Sequence, residues 1–117
     1  MHYMTPIPNE VFDVYLRELK PGELKVLLLV LRQTLGYVKH KGSKRRKDRD
    51  WISISQFKGK TGCDAKTISK AIQALIELEL IAVTDISRRS LPNPNTRRGK
   101  KRLFFAQTIR PGDSEWI

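Results

Sequence analysis

The chain has 117 residues, 23 Lys and Arg against 12 Asp and Glu, and a formal net charge of +11. Its length suits a single domain over residues 1–117, and the lack of a signal peptide or of about 20 consecutive apolar residues predicts a cytoplasmic protein without membrane contact. One cysteine and two histidines exclude a disulfide framework and a closed zinc site, so we expect no metal and no cofactor.

The first third of the chain predicts two helices. Five apolar residues recur at the spacing of one helical face: Val11, Phe12, Tyr15, Leu16 and Leu19. Pro21 and Gly22 then separate this helix from the next. Residues 23–35 are apolar around most of a helical circumference, which predicts a central buried helix. Gly36 is expected just beyond its C-terminal end.

The first concentration of charge lies in residues 39–50, here called the basic loop. It holds seven basic and two acidic side chains, for a net charge of +5, and it lacks apolar periodicity. Its turn formers Gly42 and Ser43 predict an exposed loop. A solvated charge run without a partner is the alternative interpretation. The cations expected to contact a polyanion backbone are Lys44, Arg45, Arg46, Lys47 and Arg49.

A short strand and a short helix are expected next. Residues 51–54 alternate and contain β-forming side chains, which predicts the strand. Ser55 is expected to cap a helix that continues to Thr61. Gly59 weakens this prediction because glycine disfavours a helix interior. Gly62 is expected to end the helix in a tight turn.

The strongest helical pattern covers residues 65–78, with Asp64 as its N-cap. Its apolar face consists of Ile68, Ala71, Ile72, Leu75 and Leu78. The outer side is expected to carry Lys66, Thr67, Ser69, Lys70 and Gln73. These side chain types contact phosphates or base edges in a major groove, and glutamine can pair bidentately with adenine. The alternative is an ordinary solvated helix face.

Two strands, residues 81–86 and 103–109, are expected to form an antiparallel hairpin, followed by a tail over residues 110–117. Between them lies the segment 87–102, here called the basic tip. It has seven basic residues and no acidic one, whereas the chain outside the two basic segments has a net charge of −1. The cations of the basic tip expected to contact DNA are Arg88, Arg89, Arg97, Arg98, Lys100, Lys101 and Arg102.

This order of elements is typical of a winged helix-turn-helix fold, mainly α with a small antiparallel sheet. In that fold the helix after the turn enters the major groove, and the basic tip is the wing, which meets the minor groove or the backbone. No basic amphipathic helix with a Trp- or Phe-rich face accompanies the two basic segments, so nucleic acid is favoured over an anionic membrane. We therefore expect double-stranded DNA as the partner.

Six segments form a narrower pattern: Pro8-Asn9, Lys25-Val26-Leu27-Leu28, Thr34-Leu35-Gly36-Tyr37, Trp51-Ile52-Ser53, Ser55-Gln56, and Thr61-Gly62 through Ile81. Together they resemble the N-terminal domain of the lambdoid phage replication protein O family. The resemblance covers roughly residues 5–81, and the basic tip matches only in type. It implies a winged-helix domain that binds repeats in a replication origin as a homodimer and starts replisome assembly in phage or plasmid replication.

Three features depart from that family pattern. The basic loop is longer and more basic than the family leads us to expect. Gly59 and Leu80 stand where a helix former and a glycine are more usual. No second domain follows Ile117 here, whereas a C-terminal region of these initiators recruits the helicase machinery. We therefore expect either an excised DNA-binding domain, with replisome contacts through a region absent from this chain, or a protein that acts without that recruitment.

Two other functions fit the same fold. A transcriptional regulator would use the same surfaces at a promoter, and a replisome interaction module would bind proteins while its basic segments stay solvated. An enzyme is not expected. Gly59-Lys60-Thr61 lacks the upstream glycine of a phosphate-binding loop, since Ile54 stands there, and neither a histidine-centred site nor a convincing carboxylate cluster is evident.

Overall fold

Helices form most of the regular structure, with a small antiparallel sheet of three strands, as the sequence predicts. The computed structural model describes residues 4–36 and 48–109. No helix within these ranges has both the length and the apolar character that crossing a membrane requires. The elements in chain order are a π-helical turn (Val11–Tyr15), α1 (Leu16–Glu18), α2 (Pro21–Thr34), β1 (Asp50–Trp51), α3 (Ile54–Thr61), α4 (Ala65–Glu77), β2 (Ile81–Thr84), α5 (Pro94–Arg97) and β3 (Phe104–Gln107).

The helix α2 lies in the hydrophobic core, which confirms the predicted central helix. Its completely buried side chains are Val26, Leu27, Val30 and Leu31. The helix begins at Pro21, because proline suits the first helical position. After its end, the Gly36 N–H donates a hydrogen bond to the Leu31 carbonyl at 3.2 Å. Any larger residue at Gly36 would bring a Cβ into collision with the Arg32 carbonyl oxygen.

The sheet has the order β1-β3-β2, and both pairings are antiparallel. The pairing of β2 with β3 confirms the predicted hairpin. Phe105 of the central strand lies opposite Asp50 on one side and Val83 on the other. Its ring is buried and meets the ring of Phe57 in α3 edge-on, with centroids 5.1 Å apart. This aromatic pair joins the sheet to the helices.

Both hairpin strands are shorter than predicted. β2 ends at Thr84 because the Asp85 carboxylate accepts hydrogen bonds from the backbone N–H groups of Ser87 and Arg89, each at 2.9 Å. An aspartate that binds the backbone ahead of it in this way turns the chain away from the strand direction. The partner strand covers only Phe104–Gln107.

A short strand forms as predicted, but its predicted bounds of residues 51–54 and the cap predicted at Ser55 are wrong. β1 covers Asp50–Trp51, and Ser53 is the N-cap of α3. The Ser53 hydroxyl accepts a hydrogen bond from the Gln56 N–H at 3.1 Å, and the Gln56 side chain accepts one from the Ser53 N–H at 2.9 Å. This reciprocal capping box outweighs the β-propensity of the neighbouring isoleucines.

The first helix forms, but its buried face differs from the prediction. Val11 and Leu19 are buried, whereas Phe12 and Leu16 are 55% and 53% exposed. The cause is the π-helical turn, in which the Leu16 N–H donates to the Val11 carbonyl five residues earlier. This wider turn shifts the helical phase away from the period on which the prediction was based.

The basic tip is not a plain loop. It contains α5, whose N-cap Asn93 accepts a hydrogen bond from the Thr96 N–H at 3.1 Å through its side chain. Pro94 occupies the first helical position, which favours a helix start. Leu91 is buried, and its N–H donates to the Val83 carbonyl at 2.8 Å. The basic tip therefore folds onto the domain.

Replacing Gly59 by Ala is expected to stabilise the protein. Gly59 lies inside α3, and a Cβ there would enter open space. Glycine in a helix interior costs about 0.5–1 kcal/mol relative to alanine, so the free energy of unfolding should rise by that amount. Urea denaturation followed by far-UV circular dichroism measures the change.

Gly62→Ala, at the C-cap of the same helix, is the matched control. Gly62 has a φ of 74°, a left-handed conformation that is strained for alanine, so this variant should be less stable than the wild type. Loss of stability in Gly59→Ala, or equal effects of the two substitutions, would contradict the assignment of α3.

Candidate nucleic-acid interface

A three-residue turn connects α3 to α4. α3 ends at Gly62, whose left-handed conformation reverses the chain direction, and its N–H donates to the Lys58 carbonyl at 3.0 Å. Asp64 then caps α4, as predicted, by accepting a hydrogen bond from the Thr67 N–H at 2.8 Å. The first turn of α4 thus begins at the surface, where Ala65, Lys66 and Thr67 are exposed.

The outer side of α4 contains four of the five side chains predicted there. Lys66, Thr67, Ser69 and Lys70 are all exposed. The buried residues of the same helix are Ile68, Ala71, Ile72 and Leu75, which confirms the predicted apolar face up to Leu75. Leu78, the fifth residue predicted on that face, is 52% exposed because the helix ends at Glu77.

The fifth predicted residue, Gln73, does not face solvent freely. Its Oε1 accepts a hydrogen bond from Arg97 Nη2 at 2.9 Å, and its Nε2 donates to the Pro92 carbonyl at 3.2 Å. Both ends of the amide are therefore occupied by the basic tip. The helical pattern assigns Gln73 to the outer side of α4, but a local pattern cannot include Pro92 and Arg97, 19 and 24 residues away, which cover this part of the helix.

Arg97 is a second correction to the predicted site. It is 9% exposed, and its Nη1 donates a hydrogen bond to the Leu91 carbonyl at 3.1 Å. Burial lowers the pKa of Arg97 from its ordinary value of 12.5, yet a guanidinium remains charged near neutral pH. In this position the Arg97 side chain connects parts of the basic tip to each other and to α4, and it does not extend into solvent where a phosphate could bind.

The other cations of the basic tip lie at the surface. Arg88, Arg89, Arg98, Lys100, Lys101 and Arg102 are exposed. Arg88 pairs with Asp48 at 3.3 Å, and Arg102 lies over the Trp51 ring, 4.6 Å from its centroid. The other four exposed cations of the tip, for which contact with DNA stays a prediction, are Arg89, Arg98, Lys100 and Lys101.

Arg49, predicted as a backbone contact of the basic loop, is instead bound to the hairpin. Its guanidinium carbon lies 4.3 Å from the centroid of the Phe104 ring, and Nη1 donates to the Thr84 hydroxyl at 3.1 Å and to the Asp85 carbonyl at 2.8 Å. These contacts fix the end of the basic loop beside the base of the basic tip. The remaining predicted loop cations, Lys44, Arg45, Arg46 and Lys47, lie outside the described residues.

Sequence reasoning missed the cations of α3. Lys58 and Lys60 are exposed in its last turn, next to the turn that leads into α4. Their position after the Ser53 capping box is the signal that could have found them. The Asn93-Pro94 pair could likewise have revealed α5.

The carboxylate of Asp64 is the acidic group at the N-terminus of α4. Hydrogen bonds from the backbone and the side chain of Thr67 hold the pKa of Asp64 below its ordinary value of 3.8. The neighbouring charges of Lys66 and Lys58 lower this pKa further. Asp64 is thus ionised near neutral pH and offsets part of the positive charge at this end of the helix.

A surface pocket lies at the opposite end of α4. It has a volume of about 520 Å³ and is lined mainly by apolar residues, with Tyr15, Glu79 and Thr108 as its polar members. Across residues 4–36 and 48–109, no group of three or more His, Cys, Asp and Glu side chains is placed to hold a metal ion.

No protein-family model, no curated protein and no solved structure matches the chain.

Lowering the pH is expected to remove the stabilising contribution of the Asp64 charge. The folded-state pKa is below the ordinary 3.8, so the contribution is present above pH 3.8 and is lost as the pH falls through the folded value. Asp64→Asn keeps a capping oxygen but cannot titrate. The difference in unfolding free energy between the wild type and Asp64→Asn should shrink between about pH 5 and about pH 2. Urea denaturation at a series of pH values measures it, and a pH-independent difference would contradict the assignment.

Proposed function

We propose that this chain is a winged-helix domain that binds double-stranded DNA in a sequence-specific manner. One observation carries the proposal: the exposed cations of α4 and those of the basic tip lie on parts of the chain that are hydrogen-bonded to each other through Gln73. A single duplex can therefore contact both. In this proposal α4 enters the major groove, and the basic tip is the wing.

The order of elements supports the fold assignment. A helix, a strand, two helices joined by a tight turn, and an antiparallel hairpin follow one another, and the first strand pairs with the last. This arrangement is typical of winged helix-turn-helix domains. The turn at Gly62 and the cap at Asp64 leave the N-terminal end of α4 at the surface, where helices of this class contact bases.

The proposed roles differ among the side chains. In this proposal Lys66 and Lys70 would contact guanine or phosphate, and Thr67 and Ser69 would contact phosphates or base edges. The exposed cations of the basic tip would contact the backbone or the adjacent minor groove. Lys44, Arg45, Arg46 and Lys47 keep their predicted role as further backbone contacts. Gln73, Arg97 and Arg49 are removed from the set of direct DNA contacts, because their polar groups bind within the chain.

For the biological role we propose origin recognition in phage or plasmid replication, on the basis of the family resemblance. Binding as a homodimer and recruitment of replisome proteins through a further region belong to the same proposal. A transcriptional regulator is the alternative, and footprinting separates the two. Protection of tandem repeats within a replication origin supports the first role, whereas protection of a promoter alone supports the second. A selection from random duplexes would provide the site and show whether it is a repeat or a palindrome.

Duplex binding is expected to weaken steeply with salt. Six cations proposed to contact phosphates are exposed: Lys66, Lys70, Arg89, Arg98, Lys100 and Lys101. Each phosphate contact contributes about −0.9 to the slope of log K against log[salt], so a slope of about −5 or steeper is expected. Fluorescence anisotropy of a labelled duplex over a KCl series measures this slope. A slope near zero would remove the basis of the DNA-binding proposal.

The salt slope and the base preference of Lys66→Ala and Lys70→Ala are expected to show whether each lysine contacts a phosphate or a base. A lysine bound to phosphate weakens binding to all sequences when it is removed, and it flattens the salt slope by about 0.9. A lysine bound to a base costs about 1–3 kcal/mol at one base pair and relaxes the preference there.

Arg17→Ala is the matched control for both lysine variants. It removes one exposed cation of α1, whose side chain is 86% exposed, near the Tyr15 end of the domain and away from the start of α4. This variant should leave slope and preference unchanged. An effect equal to that of the lysine variants would show that net charge, and not this surface, governs binding.

A further inference from the structure

Gln73 of α4 and Arg97 of α5 form a hydrogen-bonded connection between the helix and the basic tip. Gln73 Oε1 accepts from Arg97 Nη2 at 2.9 Å, and Gln73 Nε2 donates to the Pro92 carbonyl at 3.2 Å. Arg97 Nη1 donates to the Leu91 carbonyl at 3.1 Å. These three bonds are here called the Gln73–Arg97 junction. Two of them, both made by Gln73, attach the basic tip to α4, and the third joins Arg97 to Leu91 within the tip.

Few other buried groups hold the basic tip in place. Among residues 87–102, all of which the structure describes, Leu91 and Arg97 are the buried ones. Leu91 fixes the start of the segment next to β2 through its N–H bond to Val83. The helix α5 farther along depends on the junction for its place, because it contributes no buried apolar side chain of its own.

The junction also determines where the following cations lie. The Arg97 carbonyl accepts a hydrogen bond from the Lys100 N–H at 3.2 Å, and Gly99 between them has a φ of 81°. This tight turn directly links Arg97 to Arg98, Lys100 and Lys101. A displacement of Arg97 would therefore displace these exposed cations relative to the outer side of α4.

We propose that Gln73 and Arg97 are positioning residues for the DNA contact proposed above, on which this inference rests. They hold the cations of the basic tip at a set distance from Lys66 and Lys70, so that helix and tip reach one duplex together. The guanidinium of Arg97 is bonded to neutral oxygens and keeps its full positive charge. A duplex that contacts the outer side of α4 and the tip cations together favours the conformation in which the junction is formed, so DNA binding and the junction stabilise each other.

Gln73→Met tests this role because it removes both hydrogen bonds of Gln73 without changing the net charge. If the tip cations detach from the duplex, the salt slope flattens by roughly 2–3 for three lost phosphate contacts. In the same background, Lys100→Ala with Lys101→Ala should cost less affinity than it does in the wild type. Asn95→Ala, an uncharged change on the exposed side of α5, is the matched control and should leave the slope unchanged.

Trypsin cleavage within the basic tip provides a measurement that needs no DNA. Loss of two hydrogen bonds should raise the population of the detached tip about tenfold, and cleavage after the tip cations should accelerate by a similar factor. Gln73→Glu keeps an acceptor for Arg97 and should be cleaved nearly as slowly as the wild type. Arg97→Met removes the other partner of the junction and provides a second variant. Its salt slope should flatten by more than ~0.9, which is the contribution of one phosphate contact.

Each outcome has a distinct meaning. Faster cleavage together with a flatter salt slope supports the positioning role. Wild-type cleavage in Gln73→Met overturns the junction whatever the DNA result is. Faster cleavage with an unchanged slope overturns its role in DNA binding. A changed base preference at an unchanged slope would assign Gln73 to base readout instead. If the wild type shows no salt-dependent duplex binding, the proposed function fails, while the cleavage assay still reports on the junction.

Discussion

The packing of α4 against α2 is the contact on which the proposed surface depends. The buried side of α4, formed by Ile68, Ala71, Ile72 and Leu75, fixes the rotation of this helix about its axis. Once that side is buried, Lys66 and Lys70 must be exposed, and Gln73 lies where the basic tip can reach it. Core packing and the arrangement of the proposed interface are thus consequences of one hydrophobic contact.

The parts of the fold that were predictable have local causes. The cap at Asp64 and the periodic apolar residues of α4 are both visible within a few positions of each other, and the structure agrees with them to within one residue at the helix end. The capping box at Ser53 was equally local, but β-forming neighbours obscured it. The bond between Gln73 and Arg97 spans 24 residues and follows no period, so it leaves no pattern in the sequence.

Net charge overstated the number of cations available to a partner. Arg97 is buried, Arg49 lies on the Phe104 ring, and Arg88 pairs with Asp48. These arginines organise the hairpin and the end of the basic loop. Arginine suits this work because its planar group donates several hydrogen bonds and stacks on aromatic rings. Part of the charge of the two basic segments therefore maintains the shape of the surface that the remaining cations share.

The anchoring of Arg49 fixes the point at which the chain enters the sheet. Its guanidinium lies on the Phe104 ring of β3, and it donates hydrogen bonds to the Thr84 hydroxyl and the Asp85 carbonyl at the end of β2. Asp50, the next residue, pairs with Phe105 of β3. One side chain therefore contacts both hairpin strands at the position where β1 joins them. A strand of only two residues forms few backbone hydrogen bonds, and Arg49 supplements them from the side, so the third strand of the sheet depends on an arginine as much as on its own backbone.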